Sequence, residues 1–212
     1  MSTATGLRER KKQRTREAIA ETAWRLFAER GFDHVPVSEI AREADVSEAT
    51  VFNYFQTKED LVFHRMEAFE TELLDAIRDR DPGESIVQAF GRFVLKPRGF
   101  LGSDDPRASE GLRTVARVMT SSQALMARQR EILESYTSSL AALIAQELGR
   151  AADDVEPWVL ANALIGVHRA LIAYTHRQAL AGVENRRIAR NLQRDGKRAL
   201  ALLENGVGRT PP

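Results

Sequence analysis

The sequence predicts an all-α protein of about nine helices: a small three-helix unit near the N-terminus, then a larger helical domain. Three observations lead there. Apolar residues recur at helical spacing along most of the chain, no alternating apolar/polar run of strand length stands out, and prolines cluster at the breaks between periodic segments. The prolines stand at 36, 82, 97, 106 and 157 and in the terminal pair 211–212, so they punctuate the periodic runs rather than interrupt them.

Each element has its own signal. Residues 15–30 carry the stripe Ile19, Ala23, Leu26 and Phe27, and Gly31 follows as a C-terminal stop. Two short helices come next, over about 38–44 and 47–54, joined by a turn at Asp45-Val46, with Ser47 placed to cap the second. A longer helix is predicted from 57 to about 80, capped by Thr57 with Asp60 in a box-like position and ended by Pro82-Gly83. Five further helices are expected over about 84–95, 107–119, 122–148, 156–181 and 184–204. Residues 96–106 form a Pro/Gly/Asp-rich loop, read as a surface connector or a mobile gate.

Composition narrows the function. The chain has 212 residues, is 43% apolar and 29% charged, and contains no cysteine. That excludes disulfides, thiol nucleophiles and thiolate metal sites. The four histidines, His34, His64, His168 and His176, have no metal-ligand spacing, and no metal or cofactor is expected. There is no G-x-S-x-G, Walker A or Rossmann glycine pattern, and the pairs Asp104-Asp105 and Asp153-Asp154 read as solvated caps, so no catalytic residue is assigned. The absence of a secretory signal or a long apolar run points to a cytoplasmic protein without membrane association. Net charge is +1 overall, yet residues 1–16 carry six basic side chains against Glu9. Residues 1–14 are therefore read as a flexible basic arm on a mildly acidic body, and 205–212 as a disordered tail.

The informative stretch is residues 32–61. Two short helices joined by a tight turn between apolar anchors make a helix-turn-helix, with Ile40, Ala41, Val46 and Val51 as its small core. Ser47, Glu48, Ala49, Thr50, Asn53 and Tyr54 then face outward, short enough to approach base edges. Spacing alone also allows two surface helices of an ordinary bundle.

The same stretch resembles the DNA-binding domain of the TetR family of bacterial transcriptional regulators. The residues that carry the likeness are Thr15-Arg16, Leu26-Phe27, Gly31-Phe32, Ile40-Ala41, Val46-Ser47, Thr50, Tyr54-Phe55, Lys58 and Leu61. Residues 50–55 and 119–136 are also similar to a subgroup with acyl-CoA-like ligand-binding domains. Two positions depart from the family pattern. Pro36 stands where Thr or Ser is usual, losing a helix cap, and Phe52 stands where Tyr is frequent, losing a phosphate-bonding hydroxyl.

The resemblance implies a DNA-binding domain over 15–60 and a ligand-binding and dimerisation domain over 61–204. Arg14, Thr15, Arg16, Ser47, Thr50, Tyr54 and Lys58 would contact DNA around the phosphates, Asn53 would read adenine, and Ala49 would touch a thymine methyl. Tyr54 serves packing equally well. The basic arm would reach phosphate or the minor groove, or remain a solvated tail.

In the larger domain, residues 156–181 are apolar nearly all round through Tyr174. Leu160, Leu164, Val167 and Leu171 form one stripe, and Ile188, Leu192, Ala199 and Leu203 another. The resemblance implies that these helices pair with a second copy; an intrachain core is the alternative. Phe90, Phe93, Met119, Met126, Trp158 and Asn162 are the candidate effector contacts, although Met and aromatic residues at helical spacing equally suit a core. His168 reads as a satisfied structural histidine, and Arg113 and Arg117 share one helix face within reach of an anionic head group. The expected molecule is a homodimeric repressor of a palindromic double-stranded operator, released by a small, largely apolar, acyl-CoA-like effector. The rival readings are a helical enzyme acting on acyl thioesters and a helical interaction module without DNA activity.

Overall fold

The computed structural model describes residues 3–151 and 153–205. Residues 1–2 of the expected arm and 206–212 of the expected tail lie outside the described residues. All regular structure among the described residues is helical, with no strand. The helices are α1 (Thr3–Arg30), α2 (Val37–Glu43), α3 (Glu48–Tyr54), α4 (Asp60–Phe63), α5 (Glu67–Arg78), α6 (Ile86–Val94), α7 (Ala108–Ser121), α8 (Gln123–Leu148), α9 (Val155–Leu180) and α10 (Asn185–Asn205). Short 3₁₀ turns occur at His64–Met66 and Gly99–Gly102.

Two elements differ from the sequence expectation. First, α1 begins at Thr3, so the described part of the basic arm is helical rather than flexible. Its residues from Glu9 to Arg14 are strong helix formers without a proline, and propensity carries the helix through. Thr15, read as a helix start, sits inside α1 with its hydroxyl donating to the Lys11 carbonyl at 3.1 Å, and Gln13 bonds Glu17 one turn on at 2.9 Å. Second, the helix expected over 57–80 is broken. Its start is a reciprocal box: the Thr57 N–H donates to Asp60 Oδ2 at 3.0 Å and the Asp60 N–H to Thr57 Oγ1 at 3.3 Å. The break follows because His64 Nδ1 lies 3.0 Å from the Leu61 carbonyl, an acceptor that a continuing α-helix would use.

The chain forms two compact units, the first comprising the residues through Glu67 together with Val118–Met126, the second the remainder. In the first unit α1 packs on α2 and α4, and α2 on α3. Ile19, Ala23, Phe27, Phe32, Val35, Ile40, Ala41, Val51, Phe55 and Leu61 are all buried there, each large apolar side chain contributing about 1.5–3 kcal/mol. The Phe27 and Phe32 rings meet at 5.0 Å between centroids. The Val118–Met126 segment is pinned by Ser122, which is buried and donates its hydroxyl to Asp33 Oδ1 at 2.7 Å.

Pro36 precedes α2 without a side-chain cap, as the departure from Thr or Ser implies. The far end of α2 closes differently. The Val46 N–H bonds the Ala41 carbonyl and the Asp45 N–H the Arg42 carbonyl, a Schellman arrangement whose turning residue is Asp45 at φ 54°. Asp tolerates this left-handed conformation because its short polar side chain bonds locally, whereas a β-branched residue does not.

In the second unit α10 packs against α9 and α6. The core gathers Leu73, Ile77, Phe90, Phe93, Tyr136, Leu140, Ile144, Leu164, Leu171, Leu192 and Leu200. A Cβ at Gly196 of α10 would stand 2.2 Å from Leu95 Cδ2, so glycine is what lets the two elements approach. The loop over 96–106 is tied down, with Asn185 Nδ2 donating to the Phe100 carbonyl at 2.8 Å and Arg186 paired with Asp104 at 3.2 Å. Of the two stripes, Leu164, Leu171, Ile188 and Leu192 are buried within one chain, while Leu160, Val167, Ala199 and Leu203 are half-buried. A helical stripe shows which face is covered, not what covers it.

Asp45→Val is predicted to destabilise the chain by about 1–2 kcal/mol through left-handed strain alone. Urea unfolding followed by circular dichroism checks it; an unchanged midpoint would show that the turn relaxes.

Candidate functional site

The first unit presents α3 as its most exposed short helix. Ser47 caps it, its hydroxyl accepting from the Thr50 N–H at 3.1 Å. The Ser47 and Thr50 hydroxyls also share a hydrogen bond at 2.8 Å, which fixes both at the first turn. Val51 and Phe55 are buried and anchor the helix, while Ser47, Glu48, Ala49, Phe52 and Asn53 are exposed and Thr50 and Tyr54 half-buried. The Asn53 amide bonds no other described residue. Phe52, where the sequence departs from the frequent Tyr, is 48% exposed, three residues on from Ala49 and thus on the same side of α3. The helical phase was the signal available for that placement.

The basic candidates separate into two groups. Arg14 is exposed. Arg16 is turned inward, ion-paired with Glu67 and placed over the Phe55 ring at 5.2 Å. Lys58, expected to meet phosphate, is also turned inward here. Its ammonium donates to the Phe32 carbonyl at 2.6 Å and stands 4.2 Å from the Phe32 ring centroid and 5.7 Å from that of Phe27. Burial holds its pKa below the ordinary lysine value, with Asp33 and Glu59 opposing the shift. Thr15, Arg16 and Lys58 thus serve the packing of the domain in this structure.

The six expected effector residues do not come together. Phe90 and Phe93 are buried in the second unit's core, and Trp158 packs half-buried against it. Met119 and Met126 belong instead to the Val118–Met126 segment of the first unit. Asn162 is exposed, its amide donating back to the Trp158 carbonyl at 2.8 Å. Arg113 is taken by Glu110 at 2.8 Å. A groove of about 590 Å³ runs between α6 and α10, lined by Val87, Gly91, Lys96, Lys197 and Leu200 among others.

His168 departs most from expectation. It is 8% exposed, and neither ring nitrogen has a hydrogen-bond partner. Its ring stacks on Phe69 at 5.1 Å with an interplanar angle of 16°. Phe69 in turn meets Phe93 edge-on at 5.2 Å and stacks on Tyr136 at 5.6 Å. The Arg98 guanidinium lies 3.8 Å from the Phe93 ring centroid. Burial, with the Arg98 charge, pushes the His168 pKa down to about 4, and burial beside Glu70 pushes Tyr136 up to about 12. The imidazole and the phenol are both neutral near pH 7.

Residues 19–64 match the sequence family described as bacterial regulatory proteins, tetR family, and residues 100–207 match the MftR C-terminal domain. The chain belongs to the TetR family. Among curated relatives, it is 29% identical over 151 residues to the HTH-type transcriptional regulator TcmR of Streptomyces glaucescens, covering 70% of this chain and 67% of that one. It is 26% identical over 167 residues to the transcriptional regulator MftR of Mycobacterium tuberculosis, covering 79% and 81% respectively. Among solved structures, native NalD, the secondary repressor of the MexAB-OprM multidrug efflux pump in Pseudomonas aeruginosa, superposes with a TM-score of 0.57 at 20% identity, over 89% of this chain and 96% of that one. The SmeT–triclosan complex gives 0.55 at 20% identity, over 93% and 97%.

As a TetR-family member the protein is a DNA-binding transcriptional regulator built on a helix-turn-helix, and α2 with α3 are that motif. Among the described residues no helix is long and apolar enough to cross a membrane, and no cluster of three metal-ligating side chains occurs.

Lys58→Met is predicted to lower stability by about 1–2 kcal/mol, since it removes a charged hydrogen bond to a half-buried carbonyl. Thermal unfolding without DNA is the measurement. Unchanged stability joined to weaker binding of all duplexes would return Lys58 to the phosphate role.

Proposed function

We propose that the protein is a dimeric repressor that reads a palindromic operator through α3 and leaves it when the second unit takes up a small, largely apolar effector. The carrying observation is the exposed face of α3, where Asn53 keeps a free amide between Ala49 and Phe52. A carboxamide can bond adenine N6 and N7 together, and Ala49 and Phe52 suit thymine methyls. Ser47, Thr50, Tyr54 and Arg14 are proposed to fix the register on phosphates. Ligand release requires a state with mismatched reading heads that binds the effector better than the DNA-bound state does.

The dimer face is proposed on the outer side of α9 rather than on the Leu164 stripe. Val155 and Val159 are 71% and 62% exposed there, and Asn162, Ala170 and Ala173 continue the line. Gly166 lies on the same line, and a Cβ added to it meets nothing within 4 Å of its own chain.

Asn53→Ala should weaken the preferred operator by about 1–3 kcal/mol and relax preference at one base position. Footprinting followed by binding to a randomised site series tests this, and identical profiles for both proteins would remove Asn53 from base readout. Gly166→Leu should keep the fold, because the space is open within the chain, and should shift sedimentation from dimer towards monomer. A dimer of unaltered strength would place the interface elsewhere.

A further inference from the structure

We infer that the second unit binds an apolar monocarboxylate, whose carboxylate sits between Arg98 and His168 against the rings of Phe69, Phe93 and Tyr136. The inference rests on the effector reading above for its regulatory consequence and names the chemistry of that effector's polar end. It begins from an unmet demand. A neutral imidazole carries one N–H donor and one lone-pair acceptor, and at His168 both are buried without a partner. Buried polar groups are nearly always satisfied, and an orphan left in an apolar setting marks a missing partner.

The surroundings say which partner. The Phe69 ring stacked on His168 offers a π-face, Phe93 and Tyr136 pack on Phe69 in turn, and neither these rings nor the Tyr136 hydroxyl hydrogen-bonds an imidazole nitrogen. Arg98 brings a positive charge near enough to act on the imidazole, and no ion pair joins it to a described carboxylate. Arg98 is a donor only, so it cannot satisfy the His168 N–H, and its charge opposes a second proton on the ring. A carboxylate meets the buried N–H and the nearby positive charge together, one oxygen accepting from the imidazole N–H and the other facing the guanidinium. Arg98 is exposed on the segment between α6 and the Gly99–Gly102 turn, while His168 is enclosed. The anion is therefore reached from the Arg98 side, and the part of the molecule that follows it inward meets aromatic carbon. This suits a single carboxylate on an apolar body. A phosphate dianion carries a larger desolvation cost into the same surroundings.

The test uses the full-length protein, with decanoate, decanol and decanoyl-CoA as probes. Titration calorimetry gives affinities, and the ¹⁵N shifts of the labelled histidine ring report contact at His168. Decanoate should bind about tenfold or more tighter than decanol and move both ring nitrogens, as a charged hydrogen bond implies. His168→Phe, which keeps the ring stack, and Arg98→Gln, at an exposed position, should each weaken decanoate about tenfold or more while leaving decanol unaltered. Equal affinity for decanoate and decanol overturns the proposal. So does binding of decanoyl-CoA without decanoate, or decanoate binding undiminished in His168→Phe. Operator retention, measured in parallel without any probe, separates the two readings: it fails only if the regulator reading fails.

Discussion

A seven-residue helix does not persist in water, because its nucleation cost exceeds what so few hydrogen bonds return. The reading helix α3, Glu48–Tyr54, therefore exists only through what surrounds it. Val51 and Phe55 are buried below it, the Ser47 hydroxyl closes its first turn, and the left-handed Asp45 sets the angle at which it leaves α2. Every group of α3 proposed to meet DNA is placed by these few contacts. The inward charges extend the same support. Arg16 over the Phe55 ring and Lys58 on the Phe32 carbonyl hold the floor on which α3 rests.

That division of labour changes how the basic residues count. A basic sequence near a helix-turn-helix suggests that each cation meets a phosphate. Here two are already committed to carboxylate, carbonyl and aromatic partners inside the domain. A lysine that gave up the Phe32 carbonyl for a phosphate would exchange one charge-assisted bond for another and would leave that carbonyl unmet. The electrostatic attraction then falls more heavily on exposed cations such as Arg14 and on the charged early turns of α1.

Much of the first unit was legible because its signals are local. Ser47 before a short apolar repeat, Gly31 after a stripe and the Asp45-Val46 turn each act within a few residues, and each stands where the sequence predicts. The start of α1 was misread because a Thr before a helix and a Thr inside one look alike; the Lys11 carbonyl decides between them. The break after Phe63 depended on one histidine side chain reaching a carbonyl, which periodicity does not record. On α9 the stripe at Leu164 and Leu171 was visible, but its partner was not, since intrachain and interchain burial select the same residues. His168 was visible as an interruption of an apolar helix. Its setting was not, because Phe69, Phe93, Arg98 and Tyr136 come from separate parts of the chain.

The Val118–Met126 segment is tied to the first unit by a polar bond. It is continuous with α7 and α8, most of whose residues belong to the second unit, yet it is part of the first. Its polar attachment is Ser122 on Asp33, a buried hydroxyl on a carboxylate beside Phe32. Phe32 supplies the carbonyl that holds Lys58, and Asp33 is among the charges acting on that lysine. Loss of the short charge-assisted Ser122–Asp33 bond would therefore act next on the groups that support α3. Packed interiors respond to such a loss by switching between arrangements rather than by yielding gradually. A change at Ser122 then alters how α3 is held.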